Sequence, residues 1–194
     1  MKKIKRALLT LSGEALSDKK GNAFDFNKID AVAKQIIDLT NAGIQLGVVI
    51  GGGNIWRGRS SGDMDRPQAD NMGMLATVIN SLALQDSLER LGAGAVVVCS
   101  VEMPKIAESF NKHKVEKYFA EGKTVICAGG TGNPFFSTDT AAVLRALEID
   151  ADIILMAKAI DAVYAKEPHK DDAAVRIPRM KYQDISEKNL QVVD

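Results

Sequence analysis

Two hydrophobic periods alternate along this chain of 194 residues. Short, nearly unbroken apolar runs at 7–11, 45–50, 95–99, 124–128 and 152–156 read as buried strands. Between them, apolar residues return every three or four positions. In 27–40, Ile29, Val32, Ala33, Ile36, Ile37 and Leu39 form a helical stripe, with Asp25 or Asn27 as its cap. In 70–91 the stripe runs through Met74, Leu75, Val78, Ile79, Leu82 and Leu88. Segments 104–120 and 138–148 are helical in character, the second with Thr138 as cap. Apolar strands separated by amphipathic helices predict an α/β fold, a three-layer sandwich around a mostly parallel central sheet. The pattern weakens after Tyr164, where Pro168 and Pro178 break a polar stretch. The expected division is an N-terminal lobe over 1–150 and a C-terminal lobe over 151–194 on one continuous sheet, a single structural domain. The chain is expected to stop before the second lobe is complete, because 185–194 offers no finishing strand or cap.

Three glycine-bearing segments follow predicted strands: Ser12-Gly13, Gly51-Gly52-Gly53, and Gly129-Gly130-Thr131-Gly132. On a parallel sheet, ligands bind at the carboxyl ends of the strands, so these segments should share one rim. Glycines leave backbone N–H groups bare, and a phosphate can approach them closely. Arg57, just beyond the triplet, adds charge and a fork of donors. The plain alternative is a tight turn needing positive φ, but three consecutive glycines exceed what one turn requires. The third segment continues as Asn133-Pro134-Phe135-Phe136-Ser137-Thr138-Asp139. A helix starting there points its N–H groups and positive dipole end at the rim. Asp139 suits that dipole, and Phe135 and Phe136 serve either the core or a flat base. Asp70, at the predicted head of the long helix, either caps it or binds ribose hydroxyls. Lys158, after the last strand, either neutralises phosphate charge or is solvated.

Composition narrows the classes. Hydrophobic residues make up 46%, charged residues 26%, and the formal net charge is zero. That argues against bulk electrostatic attachment to nucleic acid or anionic membranes. The apolar run after Lys2, Lys3, Lys5 and Arg6 is too short for a signal peptide or a membrane span. Cys99 and Cys127 sit in strand-like segments and read as reduced, buried thiols of a cytoplasmic protein. His113 and His169 are isolated, and no spacing suggests a protein-bound metal. Gly122-Lys123-Thr124 imitates the end of a phosphate loop, but Lys117 replaces the upstream glycine and a strand follows instead of a helix. No covalent nucleophile is apparent.

Taken together, Leu11-Ser12-Gly13-Glu14-Ala15, Gly47-Val48-Val49-Ile50-Gly51-Gly52-Gly53-Asn54 with Arg57-Gly58, Asp70-Asn71-Met72-Gly73-Met74-Leu75-Ala76-Thr77 and Gly132-Asn133-Pro134-Phe135-Phe136 with Thr138-Asp139 resemble the bacterial uridylate kinase family of the amino acid kinase superfamily. The resemblance implies transfer of the γ-phosphoryl group of ATP to UMP, with Mg²⁺ accompanying ATP, in pyrimidine nucleotide biosynthesis. It assigns Gly52, Asp70, Thr131, Gly132, Asn133, Pro134, Phe135, Phe136, Ser137 and Thr138 to UMP. It assigns Ser12, Gly13, Gly53, Arg57, Lys158, Tyr164 and Glu167 to ATP, and gives Asp139 the orientation of the catalytic basic groups. It further implies a homohexamer, with GTP and UTP as allosteric effectors. Three departures stand out. The family places lysine where this chain has Thr10, glycine where it has Ala162, and usually aspartate where it has Glu167. Thr10 cannot supply the catalytic charge, so low activity is expected. The alternative reading is an impaired or regulatory homologue that keeps the UMP pocket.

Overall fold

A computed structural model describes residues 3–18, 21–57, 62–158, 162–164 and 175–187. Six strands form one parallel sheet: β1 (Arg6–Leu11), β2 (Gln45–Ile50), β3 (Ala95–Cys99), β4 (Glu108–Ser109), β5 (Thr124–Ala128) and β6 (Ile153–Ala157). Their order across the sheet is β4-β3-β5-β2-β1-β6. Parallel neighbours require crossovers, and four helices supply them: α1 (Phe26–Asn41), α2 (Arg66–Arg90), α3 (Lys112–Ala120) and α4 (Thr138–Glu148).

Two apolar clusters line the two faces of the sheet, giving three layers. One joins Ile29, Ala33 and Ile36 of α1 and Val78, Leu84 and Leu88 of α2 to Leu11, Val48, Ile50 and Ile126. The other joins Val115 and Phe119 of α3 and Ala142 and Ala146 of α4 to Leu8, Val49, Val98 and Val125. Strands buried on both faces explain the unbroken apolar runs in the sequence.

A first compact unit ends at Ala157, and a second begins at Lys158. In the second unit, β7 (Val163–Tyr164) pairs antiparallel with β8 (Arg176–Ile177), and α5 spans Tyr182–Glu187.

Three expectations are corrected. The span 104–120 is not one helix: β4 pairs with β3, and α3 starts only at Lys112, capped by Asn111. Helix α2 begins at Arg66, with Asp65 accepting from Gln68 N and Pro67 in the first turn, so Asp70 lies inside the helix and does not cap it. Leu75 and Ile79 of its predicted stripe are exposed, while Ala76, Thr77, Asn80 and Ser81 are buried. The face of α2 turned inward there is small and polar, a pattern that hydrophobic periodicity does not capture.

Candidate nucleotide site

The strands that carry the glycine segments are neighbours, in the order β5-β2-β1. Their register puts Leu11 beside Ile50 and Val49 beside Cys127. Ser12, Gly51 and Gly129 therefore leave the sheet at one level. Gly51 N donates to Leu11 O at 2.9 Å. A Cβ built on Gly51 would stand 3.5 Å from Gly13 N and 3.7 Å from Thr138 Oγ1. All three loops thus meet around Gly51.

Absent side chains make this meeting possible. A Cβ on Gly13 would lie 2.5 Å from Gly51 O and would also overlap Asn54. One on Gly52 would lie 2.8 Å from Gly73 O and 2.9 Å from the Ala76 Cβ, so only glycine lets the β2 loop rest on α2. Gly129 takes φ +77° directly above Cys99, where a Cβ would come within 2.8 Å of the Cys99 Sγ. Burial pushes the Cys99 thiol upward and the Cys127 thiol to about 12, so neither serves as a thiolate nucleophile.

The charged groups fall into two sets. After β2, Arg57 forms an ion pair with Glu14, and its Nε donates to Gly53 O at 3.3 Å. That couples the β1 and β2 loops through an exposed guanidinium. On α2, both Asp70 carboxylate oxygens accept from Arg66 Nε at 2.9–3.0 Å. Asp70 Oδ2 also accepts from Phe135 N at 2.8 Å. Phe135 adopts φ +72°, a left-handed conformation unfavourable for a bulky residue. The Asp70 contact offsets that strain and fixes the 131–136 loop over α2. The Arg66 guanidinium lies 5.8 Å from the Phe135 ring centroid. Phe135 and Phe136 are both exposed, so their rings are open to a flat partner.

Helix α4 starts at this rim. Ser137, not Thr138, is its cap: Ser137 Oγ accepts from Thr140 N at 3.1 Å. Thr138 is the first helical residue, and Asp139, 8% exposed, sits in the first turn. The helix turns its N-terminal backbone and its positive end toward Gly51, with Thr138 Oγ1 3.7 Å from where a Gly51 Cβ would stand. Thr10, the penultimate residue of β1, is buried and faces Val49 and Met156 in register.

The profile of the amino acid kinase family matches residues 5–193. The chain belongs to the amino acid kinase family. Among solved structures, a UMP kinase from Ureaplasma parvum is similar at TM-score 0.94 and 35% identity, covering 99% of this chain and 83% of its own. A UMP kinase from Bacillus anthracis is similar at TM-score 0.94 and 37% identity, covering 98% of this chain and 80% of its own.

In this amino acid kinase chain, the first unit brings together Thr10, Ser12, Gly13, Gly52, Gly53, Arg57, Asp70, 131–138 and Asp139. Lys158 and Tyr164 belong to the second unit, where Tyr164 pairs with Arg176 across β7 and β8. Glu167 lies outside the described residues. Sequence reasoning quoted Asn54 and Thr77 as motif residues without a role, and missed Asn80. Asn80 is fully buried; its Nδ2 donates to Gly51 O and to Asn54 Oδ1, both at 2.7 Å. Thr77 Oγ1 accepts from Gly129 N at 2.9 Å. The available signal was small and polar residues recurring at the Gly73, Thr77, Asn80 spacing among the apolar positions of α2. Two clefts of about 180 and 370 Å³ lie away from these loops, around 40–45, 91–94 and 119–123. They contain no residue of the three glycine segments.

The bare backbone around Gly51 suits a phosphate group. Among the described residues no three His, Cys, Asp or Glu side chains cluster as metal ligands.

Proposed function

We propose that this chain is a uridylate kinase, transferring the γ-phosphoryl group of ATP to UMP and releasing UDP and ADP. The observation that carries the reading is the meeting of the three glycine loops around Gly51, beside the α4 N-terminus and the Asp70-anchored loop. In this reading Gly52, Asp70 and 131–138 hold UMP, with Phe135 and Phe136 against the base. Ser12, Gly13, Gly53 and Arg57 hold the ATP phosphates. Lys158, Tyr164 and Glu167 are assigned to ATP by the resemblance alone.

Phosphoryl transfer depends chiefly on alignment and on charge stabilisation, so it needs no covalent nucleophile. Backbone N–H groups orient the phosphates. Arg57 supplies a cation, and its pairing with Glu14 and Gly53 O keeps it at the loops. Bound Mg²⁺ would neutralise phosphate charge. Asp139 orients the basic groups from the first turn of α4. No helix of the described residues is long and apolar enough to cross a membrane. A cytoplasmic homohexamer, activated by GTP and inhibited by UTP, completes the reading.

UDP formation from ATP and a panel of acceptors tests it. The expected result is slow phosphorylation of UMP, lost in Asp139→Ala, with no transfer to carboxylate or carbamate acceptors. Transfer to those acceptors but not to UMP would overturn the assignment. A second reading, a nucleotide-binding regulatory homologue, is favoured by the buried, uncharged Thr10. UMP binding without any turnover would select it.

A further inference from the structure

We infer that Thr77 and Asn80, one turn apart on α2, are positioning residues that set the nucleotide loops separately: Asn80 the β1 and β2 loops, which carry the ATP residues of the first unit, and Thr77 the 129–138 segment, which carries most of the UMP residues. The inference rests on the uridylate kinase reading for the ligands, but its geometry is independent of them. Gly73, Ala76, Thr77 and Asn80 share one helical face, and that face lies under the glycine loops.

Asn80 is fully buried and spends both ends of its amide there. Its Nδ2 donates to Gly51 O and Asn54 Oδ1, while its Oδ1 accepts from Asn54 Nδ2 at 3.1 Å. Asn54 Nδ2 also donates to Ala23 O at 2.8 Å. Asn54 Oδ1 lies where a Gly13 side chain would stand. Asn80 thus fixes the carbonyl of Gly51 and, through Asn54, the floor beneath Gly13. These β1 and β2 loops carry Ser12, Gly13 and Gly53, assigned to ATP, and of the residues assigned to UMP only Gly52.

Thr77 acts on the other loop. Its Oγ1 donates to Met74 O at 2.6 Å, which aims a lone pair at Gly129 N. That contact sets the start of the 129–138 segment assigned to UMP. Ser100 holds the same segment from β3, its Oγ donating to Gly130 O at 2.9 Å. A rigid helix carrying both tethers spaces the two loops, as in-line transfer between two bound nucleotides requires.

Separate titrations of UMP and of ATP with Mg²⁺, together with ligand-free amide exchange, test the division. Thr77→Val keeps the side-chain shape and removes the hydroxyl. It should weaken UMP about tenfold and ATP by less than about twofold, because a buried N–H loses its acceptor. Thr77→Ser should restore UMP binding. Asn80→Ala should weaken ATP about tenfold and UMP by clearly less, through Gly52 alone. Without ligand, exchange should quicken at 129–132 in Thr77→Val and at 51–54 in Asn80→Ala. The inference is overturned if each variant weakens both ligands alike, if exchange rises in both loops together, or if only the melting temperature moves. Should the unaltered chain bind neither nucleotide, the kinase reading fails while the loop-by-loop exchange pattern still decides this inference.

Discussion

Thr10 occupies a buried place near the end of β1, one residue before the Leu11 carbonyl that accepts from Gly51 N. A lysine there has an apolar stem long enough to carry its ammonium toward the rim, whereas threonine ends at Cγ and carries no charge. One preorganised charge contact is commonly worth ~10²–10³ in turnover. Thr10→Lys is therefore expected to raise kcat for UDP formation by about 10²-fold, with UMP affinity little changed. Steady-state kinetics checks this; unchanged kcat in a variant that keeps its melting temperature would refute it. Single residues were legible in the sequence where one local rule governs them, as with the buried cysteines and with the α1 cap, which is Asp25 of the two candidates Asp25 and Asn27. Asp70 and Thr138 were misplaced by a few positions because Asp65 and Ser137 compete as caps with the same chemistry. Asn80 was invisible because its partners, Gly51 O and Asn54, are 29 and 26 positions away.

Elements are joined at the strands' other ends by Arg6. Its guanidinium donates to Gln45 Oε1 at 2.7 and 3.0 Å, to both Glu116 oxygens at 2.7 and 2.8 Å, and to Ile149 O at 2.5 Å. It also lies 4.6 Å from the Phe119 ring centroid. One side chain thereby ties β1 to the start of β2, to α3 and to the end of α4. The Arg6 hydrogen bonds hold the Glu116 carboxyl below its ordinary value of 4.5. A depressed folded value means this contact stabilises fully above pH 4.5 and fades as pH falls through the folded value. Glu116→Gln is expected to lower stability measurably at about pH 7, and the gap to the unaltered chain should be narrower at about pH 4, below the ordinary carboxylate value. Urea unfolding at both pH values checks it; a pH-independent gap would assign the effect to shape instead of charge. Arg6→Ala should cost about 1–3 kcal/mol at neutral pH, as a partly buried charged network does. Helices with a clean apolar stripe, such as α1, were readable from periodicity, while β4 was not. A two-residue strand carries too few positions to show a period, and only its pairing with Val98 and Cys99 defines it.

For the whole molecule, the layered parallel sheet follows from strand runs that are apolar on both faces, and the shared rim follows from parallel pairing. The strand order does not, because each crossover's landing place depends on contacts far apart in sequence: β5 inserts between β2 and β3 although it follows both. That insertion puts the third glycine loop next to the second. The division at Ala157 has a functional consequence as well. Every residue assigned to UMP lies in Met1–Ala157, which also holds both apolar clusters and all six strands of the large sheet. Three residues assigned to ATP, Lys158, Tyr164 and Glu167, lie in Lys158–Asp194. A chain shortened to 1–157 should therefore bind UMP within about threefold of the unaltered chain, a difference under 1 kcal/mol. It should bind ATP at least about tenfold more weakly, having lost those contacts. Calorimetric titration with each nucleotide measures both. A shortened chain that keeps its helical circular dichroism and cooperative melting yet loses UMP would show that the second unit contributes to the UMP site, and the assignment of that site to the first unit alone would fall.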